Sequence, residues 1–153
     1  MQPVFRDDPY SSFNFEVIVA GISLDGKGVK GSFMEVSGLD VELPAIEYRN
    51  GSEDITVRKI PGLKKFTNIV LKRGLTGDLT FWNWIVKGLN GQTQRANVSI
   101  ILLDESRNPV MQWNLNRAWP CKWKLSTLNA RENDIAIESL EICHEGFSID
   151  GQA

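Results

Sequence analysis

Two-residue periodicity governs most of this chain, and only one window departs from it. Phe13-Asn14-Phe15-Glu16-Val17-Ile18-Val19 alternates, with Phe13, Phe15, Val17 and Val19 on one side, the pattern of a half-buried strand. The extended pattern resumes at Ser32-Phe33-Met34-Glu35-Val36, after an Asp25-Gly26 turn, and again at Asn68-Ile69-Val70-Leu71-Lys72. Asn97 to Leu103 and Val110 to Leu115 predict a hairpin over the polar turn at residues 104–109. Ala118-Trp119-Pro120 is expected to interrupt the sheet, because proline cannot donate to a ladder. A last long strand is expected from about Ile135 to Phe147.

The exception begins at Leu79. Leu79, Trp82, Ile85, Val86 and Leu89 recur at three- and four-residue spacing, which predicts a helix with Thr76 or Asp78 as N-cap. Roughly ten or eleven helical residues span about 16 Å, enough to cover one end of a sheet. Gly88 and Asn90-Gly91 are expected to end it. The spacing turns Trp82 and Ile85 toward the sheet. The expected fold class is therefore mainly β, a sandwich or barrel with one helix packed on the sheet.

Two segments do not suit a solitary sandwich. Val98, Ile100 and Leu102 face one side of their strand, while Ile101 and Leu103 make the other side apolar too. Ile135 and Ile137 stand likewise opposite Leu140 and Ile142. Antiparallel sheets usually keep one wet face, so these strands predict cover on both faces, by the helix or by a neighbouring subunit. Glu42 to Gly62 has the opposite character. It is polar and punctuated by Pro44, Asn50-Gly51 and Pro61-Gly62, and Asn-Gly is a strong hairpin signal. An arm projecting from the body at about 42–62 is expected.

The 153 residues, 42% of them hydrophobic, suit one domain with its own core. No repeat, linker or low-complexity segment divides 1–153. No apolar run approaches the roughly 18 residues of a membrane-spanning helix. The N-terminus lacks a basic stretch followed by an apolar one, so no secretory signal is expected. Cys121 and Cys143, with His144 as the one histidine, have neither disulfide-scaffold nor metal-ligand spacing. They read as two small buried thiols.

Net charge is only −2, but it is unevenly spread. Residues 1–55 hold four basic and ten acidic side chains, whereas 56–75 hold Arg58, Lys59, Lys64, Lys65, Lys72 and Arg73 with no acid. This permits a solvated surface, an anion-binding patch, or two surfaces complementary between copies of the chain.

Motifs for catalysis are lacking. Gly26-Lys27-Gly28-Val29-Lys30-Gly31 spells GxGxxG, but a dinucleotide site needs a helix to open after it, and a strand is expected there. It reads as a glycine-rich turn. His144 has no nucleophile or carboxylate at informative spacing and reads as a hydrogen-bonded structural residue. Tyr48 and Phe66 are too few for a nucleic-acid stacking platform. Trp82, Trp84, Trp113, Trp119 and Trp123 read as core or interface mass. No catalytic, cofactor or metal residue is assigned.

Ile46-Glu47-Tyr48-Arg49-Asn50-Gly51, Val57-Arg58-Lys59-Ile60-Pro61-Gly62-Leu63-Lys64-Lys65 and Asn68-Ile69-Val70-Leu71-Lys72-Arg73-Gly74-Leu75-Thr76 together resemble the tail-tube proteins of contractile phages and of phage-tail-like injection particles. Asp8-Pro9-Tyr10, Phe81-Trp82 with Trp84, Ala118 to Trp123 and Glu141 to Gly146 extend the likeness along nearly the whole chain. The resemblance implies a non-enzymatic structural subunit without cofactors. It implies hexameric rings of barrel-like subunits stacked into a hollow tube inside a contractile sheath. Its partners would be other copies, the sheath protein, baseplate or hub and tube-terminating proteins, and luminal cargo or DNA. Assembly would occur in the bacterial cytoplasm, before release as a tail or extracellular particle. Glu47, Tyr48, Arg49, Glu53, Asp54, Arg58, Lys59, Lys64 and Lys65 become the candidate interface between subunits or rings. A tube-initiator or baseplate protein of the same fold stays open, as does a small-ligand-binding β-barrel.

Overall fold

The computed structural model describes residues 1–21, 29–31, 33–49, 51 and 57–151. Along them lie β1 (Phe15–Val19), β2 (Val29–Gly31), β3 (Glu35–Ser37), β4 (Val41–Glu42), β5 (Ala45–Tyr48), β6 (Arg58–Pro61), β7 (Lys65–Phe66) and β8 (Ile69–Gly74). Helix α1 (Thr80–Leu89) follows, then β9 (Ala96–Leu103), β10 (Pro109–Leu125), β11 (Ile137–Cys143) and β12 (Phe147–Ile149). The main sheet runs β2-β1-β9-β10-β11-β8-β3, all antiparallel, with β12 also on β10.

The alternation read from the sequence places the core. Val17 and Val19 of β1, Val98 and Ile100 of β9 and Leu115 of β10 bury against Ile69 and Leu71 of β8 and Leu140 and Ile142 of β11. Phe81 and Trp84 of α1 close the cluster. Side chains from both halves of the sheet and from α1 thus meet in one buried cluster. The second apolar side of β9 is only half-covered, with Ile101 partly exposed. Phe13 lies outside β1 and is 71% exposed, so the first strand is shorter than its alternation suggested.

Pro120 does not interrupt the sheet. β10 continues through it for 17 residues, pairing with β9 at one end and β11 at the other. Register shifts between Leu115 and Ala118 and between Pro120 and Lys122 mark the bend. Arg117 adopts φ 49° within the first shift. Pro120 keeps its place opposite Ile142, and Cys121 is the residue left out of the ladder just after it, a bulge of the kind that accompanies proline in a strand. The expected Ile135–Phe147 strand is likewise two strands, β11 and β12, separated at 144–146. The second half of the glycine-rich segment is strand β2 rather than turn. Strand β3 follows it, as a dinucleotide fold would not allow. Asp25-Gly26 lies outside the described residues.

Helix α1 meets the expectation at Ile85 and departs from it at Trp82. Phe81, Trp84 and Ile85 are buried, while Leu79, Trp82 and Leu89 are exposed. Both triads follow helical spacing, and tertiary contacts decide between them. Trp84 donates its Nε1–H to the Gln94 carbonyl at 2.7 Å, a partner that Trp82 lacks at this depth. Trp82 instead meets Trp123 edge-on at 5.1 Å. Asp78 stands just before the cap position and accepts the Thr80 amide and hydroxyl. Those bonds hold its carboxyl below its ordinary pKa. At the other end Asn90 is the C-cap and Gly91 takes φ 81°, whereas Gly88 stays helical.

Candidate subunit interface

Between β3 and β8 the chain leaves the main sheet as a ribbon. Val41 pairs with Phe66 and Glu42 with Lys65. Farther out, Ala45 pairs with Pro61, Ile46 with Ile60, Glu47 with Lys59 and Tyr48 with Arg58. The Gly62 amide donates to the Pro44 carbonyl at 2.6 Å, joining the two ladders. A Cβ at Gly62 would lie 2.8 Å from that oxygen, so only glycine permits this approach. The return strand carries one more residue than its partner here, and Leu63 bulges out 89% exposed.

The root of the ribbon is fastened by aromatic packing. Phe66 meets Phe147 at 5.2 Å and His144 at 5.8 Å, both edge-on. The His144 Nδ1 accepts the Gly146 amide at 3.1 Å. Its proton therefore sits on Nε2, which donates to the Thr67 carbonyl at 2.8 Å. The structural role expected of His144 is the one it has.

Beyond the root the ribbon is bare. Every residue of β5 and β6 is exposed. Cross-strand pairs share a face, and alternate positions along a strand do too. Ile46, Ile60, Tyr48 and Arg58 therefore lie on one face, and Ala45, Pro61, Glu47 and Lys59 on the other. A two-stranded ribbon is marginal by itself in water, and here the apolar face meets solvent.

Among the candidate interface residues, Glu47, Tyr48, Arg58 and Lys59 come together on the ribbon, and Arg49 follows β5. Lys64 lies in the bulge and Lys65 on β7. Glu53 and Asp54, with Asn50 of the Asn-Gly signal, lie outside the described residues. The cross-strand neighbour of Lys59 is Glu47 of the same chain, and that of Lys65 is Glu42. Two other cations of the basic segment are engaged within the chain. Arg73 is buried, its Nε 3.0 Å from Glu138, and Lys72 lies 3.5 Å from Glu35. Sequence reasoning weighed these charges and passed over the exposed apolar residues of the ribbon, Leu43, Ile46, Ile60 and Leu63. Two-residue alternation in Ala45-Ile46-Glu47-Tyr48 was the signal for Ile46.

The architecture has close counterparts. The family model of the T4-like virus tail tube protein gp19 matches residues 11–148. The chain belongs to this tail tube family. A chain in the six-fold symmetrised baseplate of the anti-feeding prophage is 28% identical, with a TM-score of 0.81 over 94% of this chain and 97% of that one. A chain in the sheath–tube complex of the extracellular contractile injection system PVC, in its extended state, is 29% identical. It has a TM-score of 0.80 over 96% and 93%. Hcp1 from Flavobacterium johnsoniae shares the fold at 16% identity, with a TM-score of 0.54 over 90% and 95%. Among curated proteins, none matches the chain. The tail tube chain has no helix long and apolar enough to cross a membrane among its described residues. Nor do those residues group three or more His, Cys, Asp or Glu side chains that could hold a metal.

Proposed function

We infer that this tail tube chain is the repeating subunit of a hollow inner tube, built of stacked hexameric rings inside a contractile sheath and conducting cargo or nucleic acid toward a target cell. Its near full-length likeness to a chain of an extended sheath–tube complex carries the reading. The bare ribbon supports it, since an amphipathic element left in water needs cover, and another copy supplies that in a head-to-tail assembly. The subunit acts by packing and needs no catalysis. Partners on this reading are other copies, the sheath, the baseplate or hub, and a terminating cap. Assembly takes place in the bacterial cytoplasm before release of the particle.

A second reading rests on its own observation. The likeness to a baseplate chain is equally extensive, which suits a ring that initiates the tube and meets a non-identical partner on one side. Size-exclusion chromatography and electron microscopy of the purified protein separate the two. Tubes of many rings support the repeating subunit; rings that stack only after a second tube protein is added support the initiator. A monomer at all concentrations overturns both.

A further inference from the structure

Cys121 and Cys143 read from the sequence as small buried thiols, and the structure places them elsewhere. Both are free and only half-buried, while Pro120, Leu140 and Ile142 beside them take the inward positions. Trp119 pairs with Cys143, Pro120 with Ile142 and Lys122 with Glu141, so Cys121 stands alone between two registers. Alternate positions of a strand share a face, which puts Glu141 and Cys143 together on the outer side of β11. The Cys121 thiol leans over that side, its Sγ 3.4 Å from the Glu141 carbonyl oxygen and 3.6 Å from the Glu141 carboxylate. The Cys143 sulfur is near enough to accept the Cys121 proton. Thiols on the wet side of a sheet add little to packing, and reactivity is what gives such a pair a use.

We propose that Cys121 and Cys143 form a redox latch, two thiols in a reducing compartment and one disulfide between β10 and β11 in an oxidising one. The latch lies just past the bend where β10 passes from β9 to β11, and it ties the two strands where their ladder is interrupted. It closes residues 121–143 into a loop, which takes entropy from the unfolded chain. The bond stands on this geometry alone; its use to a particle that leaves the cell rests on the tube reading. The oxidant is a small-molecule disulfide such as oxidised glutathione. The Cys143 thiolate attacks one of its sulfurs and expels a thiolate, leaving a mixed disulfide. Cys121 then attacks the Cys143 sulfur, and the second small thiolate departs and takes up the Cys121 proton. Two cysteine thiols are oxidised and one small disulfide is reduced to two thiols. Burial, followed by the neighbouring Cys143 and Glu141, pushes the Cys121 thiol up to about 12. Cys121 therefore keeps its proton until Cys143 has reacted, which fixes the order of attack. A thiol of this kind is also a poor leaving group, so an outside thiol attacking Cys143 opens the closed latch slowly.

The test equilibrates the full chain with dithiothreitol or with oxidised glutathione, then alkylates it and maps its peptides by mass spectrometry. Both cysteines should take the label after reduction. After oxidation neither should, and the peptides holding Cys121 and Cys143 should be joined within one chain. The oxidised protein should melt roughly 6–12 °C above the reduced one, as a cross-link closing a loop of this order predicts. Cys121→Ser and Cys143→Ser should each melt alike under both conditions. Thiols that stay open to the label, or stable mixed disulfides with glutathione at either position, overturn the latch. The same measurement is made on assemblies seen by electron microscopy. A latched chain that forms no ring keeps the bond and removes its use in a tube, whereas rings whose cysteines stay reduced sink the latch and leave the tube reading standing.

Discussion

Arg73 belongs to the most basic stretch of the chain, yet it points inward. Its Nε donates to Glu138, which is 3% exposed at the side chain, and its guanidinium lies 4.2 Å over the Phe81 ring. Trp123 donates to the other Glu138 oxygen at 2.8 Å, and Asp78 accepts from Arg73 at the helix start. The network ties β8, β10, β11 and α1 together. Removing one partner strands a buried charge, so Glu138→Gln should cost about 3–5 kcal/mol, and Arg73→Met with Glu138→Leu together should cost less. Urea denaturation of the three proteins checks this; a double variant worse than the single one contradicts it. A second pair works at the surface. Arg6 donates to both oxygens of Glu105 at 2.8 and 3.0 Å. These bonds hold the Glu105 carboxyl down from 4.5 to about 2. A lowered pKa means the ionised form is favoured by folding. The pair's contribution is present above the ordinary carboxylate value and fades as pH falls toward about 2. The Glu105 carboxyl carbon, followed by NMR, should therefore show no midpoint near pH 4.5 in the intact protein, and a midpoint raised toward it in Arg6→Ala.

The helix and the ribbon are elements whose environment differs from their local pattern. Leu79, Trp82, Ile85, Val86 and Leu89 make a regular stripe, but of these Ile85 is buried and its buried companions are Phe81 and Trp84. Trp84→Ala should therefore cost roughly 3–5 kcal/mol as a large-to-small change in the core. Trp82→Ala forfeits chiefly its edge contact with Trp123, worth about 0.5–1.5 kcal/mol. Thermal unfolding orders the two, and a larger shift for Trp82 would reverse the assignment of faces. For the ribbon, the Gly62 amide and Pro44 carbonyl are already joined, so residues 45–61 are replaceable by two glycines. None of β5 or β6 is buried. The shortened chain should keep its circular dichroism and melting behaviour and lose the capacity to stack. Normal-length tubes in negative stain would show that the ribbon is dispensable.

At the scale of the molecule, charge separates into an acidic first third and a basic second segment, and the fold spends only part of it internally. Lys59 and Lys65 stand opposite Glu47 and Glu42 in their own ribbon, whereas Lys64 sits in the bulge with no acid across from it. Lys64→Glu is thus a cleaner probe of contacts between copies than reversal of Arg58 and Lys59. Exposed pairs are worth only about 0.2–1 kcal/mol each, but a tube repeats them at every subunit. About 1 M salt shortens screening to about 3 Å and should favour free rings over tubes, while apolar contacts persist. Lys64→Glu should shorten tubes at low salt and change little at high salt. Equal lengths for both proteins at both salts would leave the basic segment a solvated face.

Extended patterns at 13–19, 68–72, 97–103 and about 135–147 were enough to specify strands, because a strand imposes a period of two on its own residues. Val17 and Val19 were legible as inward positions for that reason, whereas the strands apolar on both sides left their inward face open. The helix was legible too, along with the polar stretch that became the ribbon, since spacing and turn residues are local properties. What lay beyond reach depended on neighbours distant in sequence. Two helical stripes of similar apolarity cannot be ranked until one of them meets the sheet. Pro120 stays in the sheet opposite Ile142 of β11, with the bulge at Cys121 beside it. Arg73 counted as surface charge until Glu138, 65 positions away, neutralised it. A groove of about 370 Å³ walled by Phe15, Val36, Leu102 and Trp113 draws on β1, β3, β9 and β10, which no single window contains. Local sequence thus determined what each segment became, and tertiary packing decided which side of it met water, because burial is a property of the partner as much as of the segment.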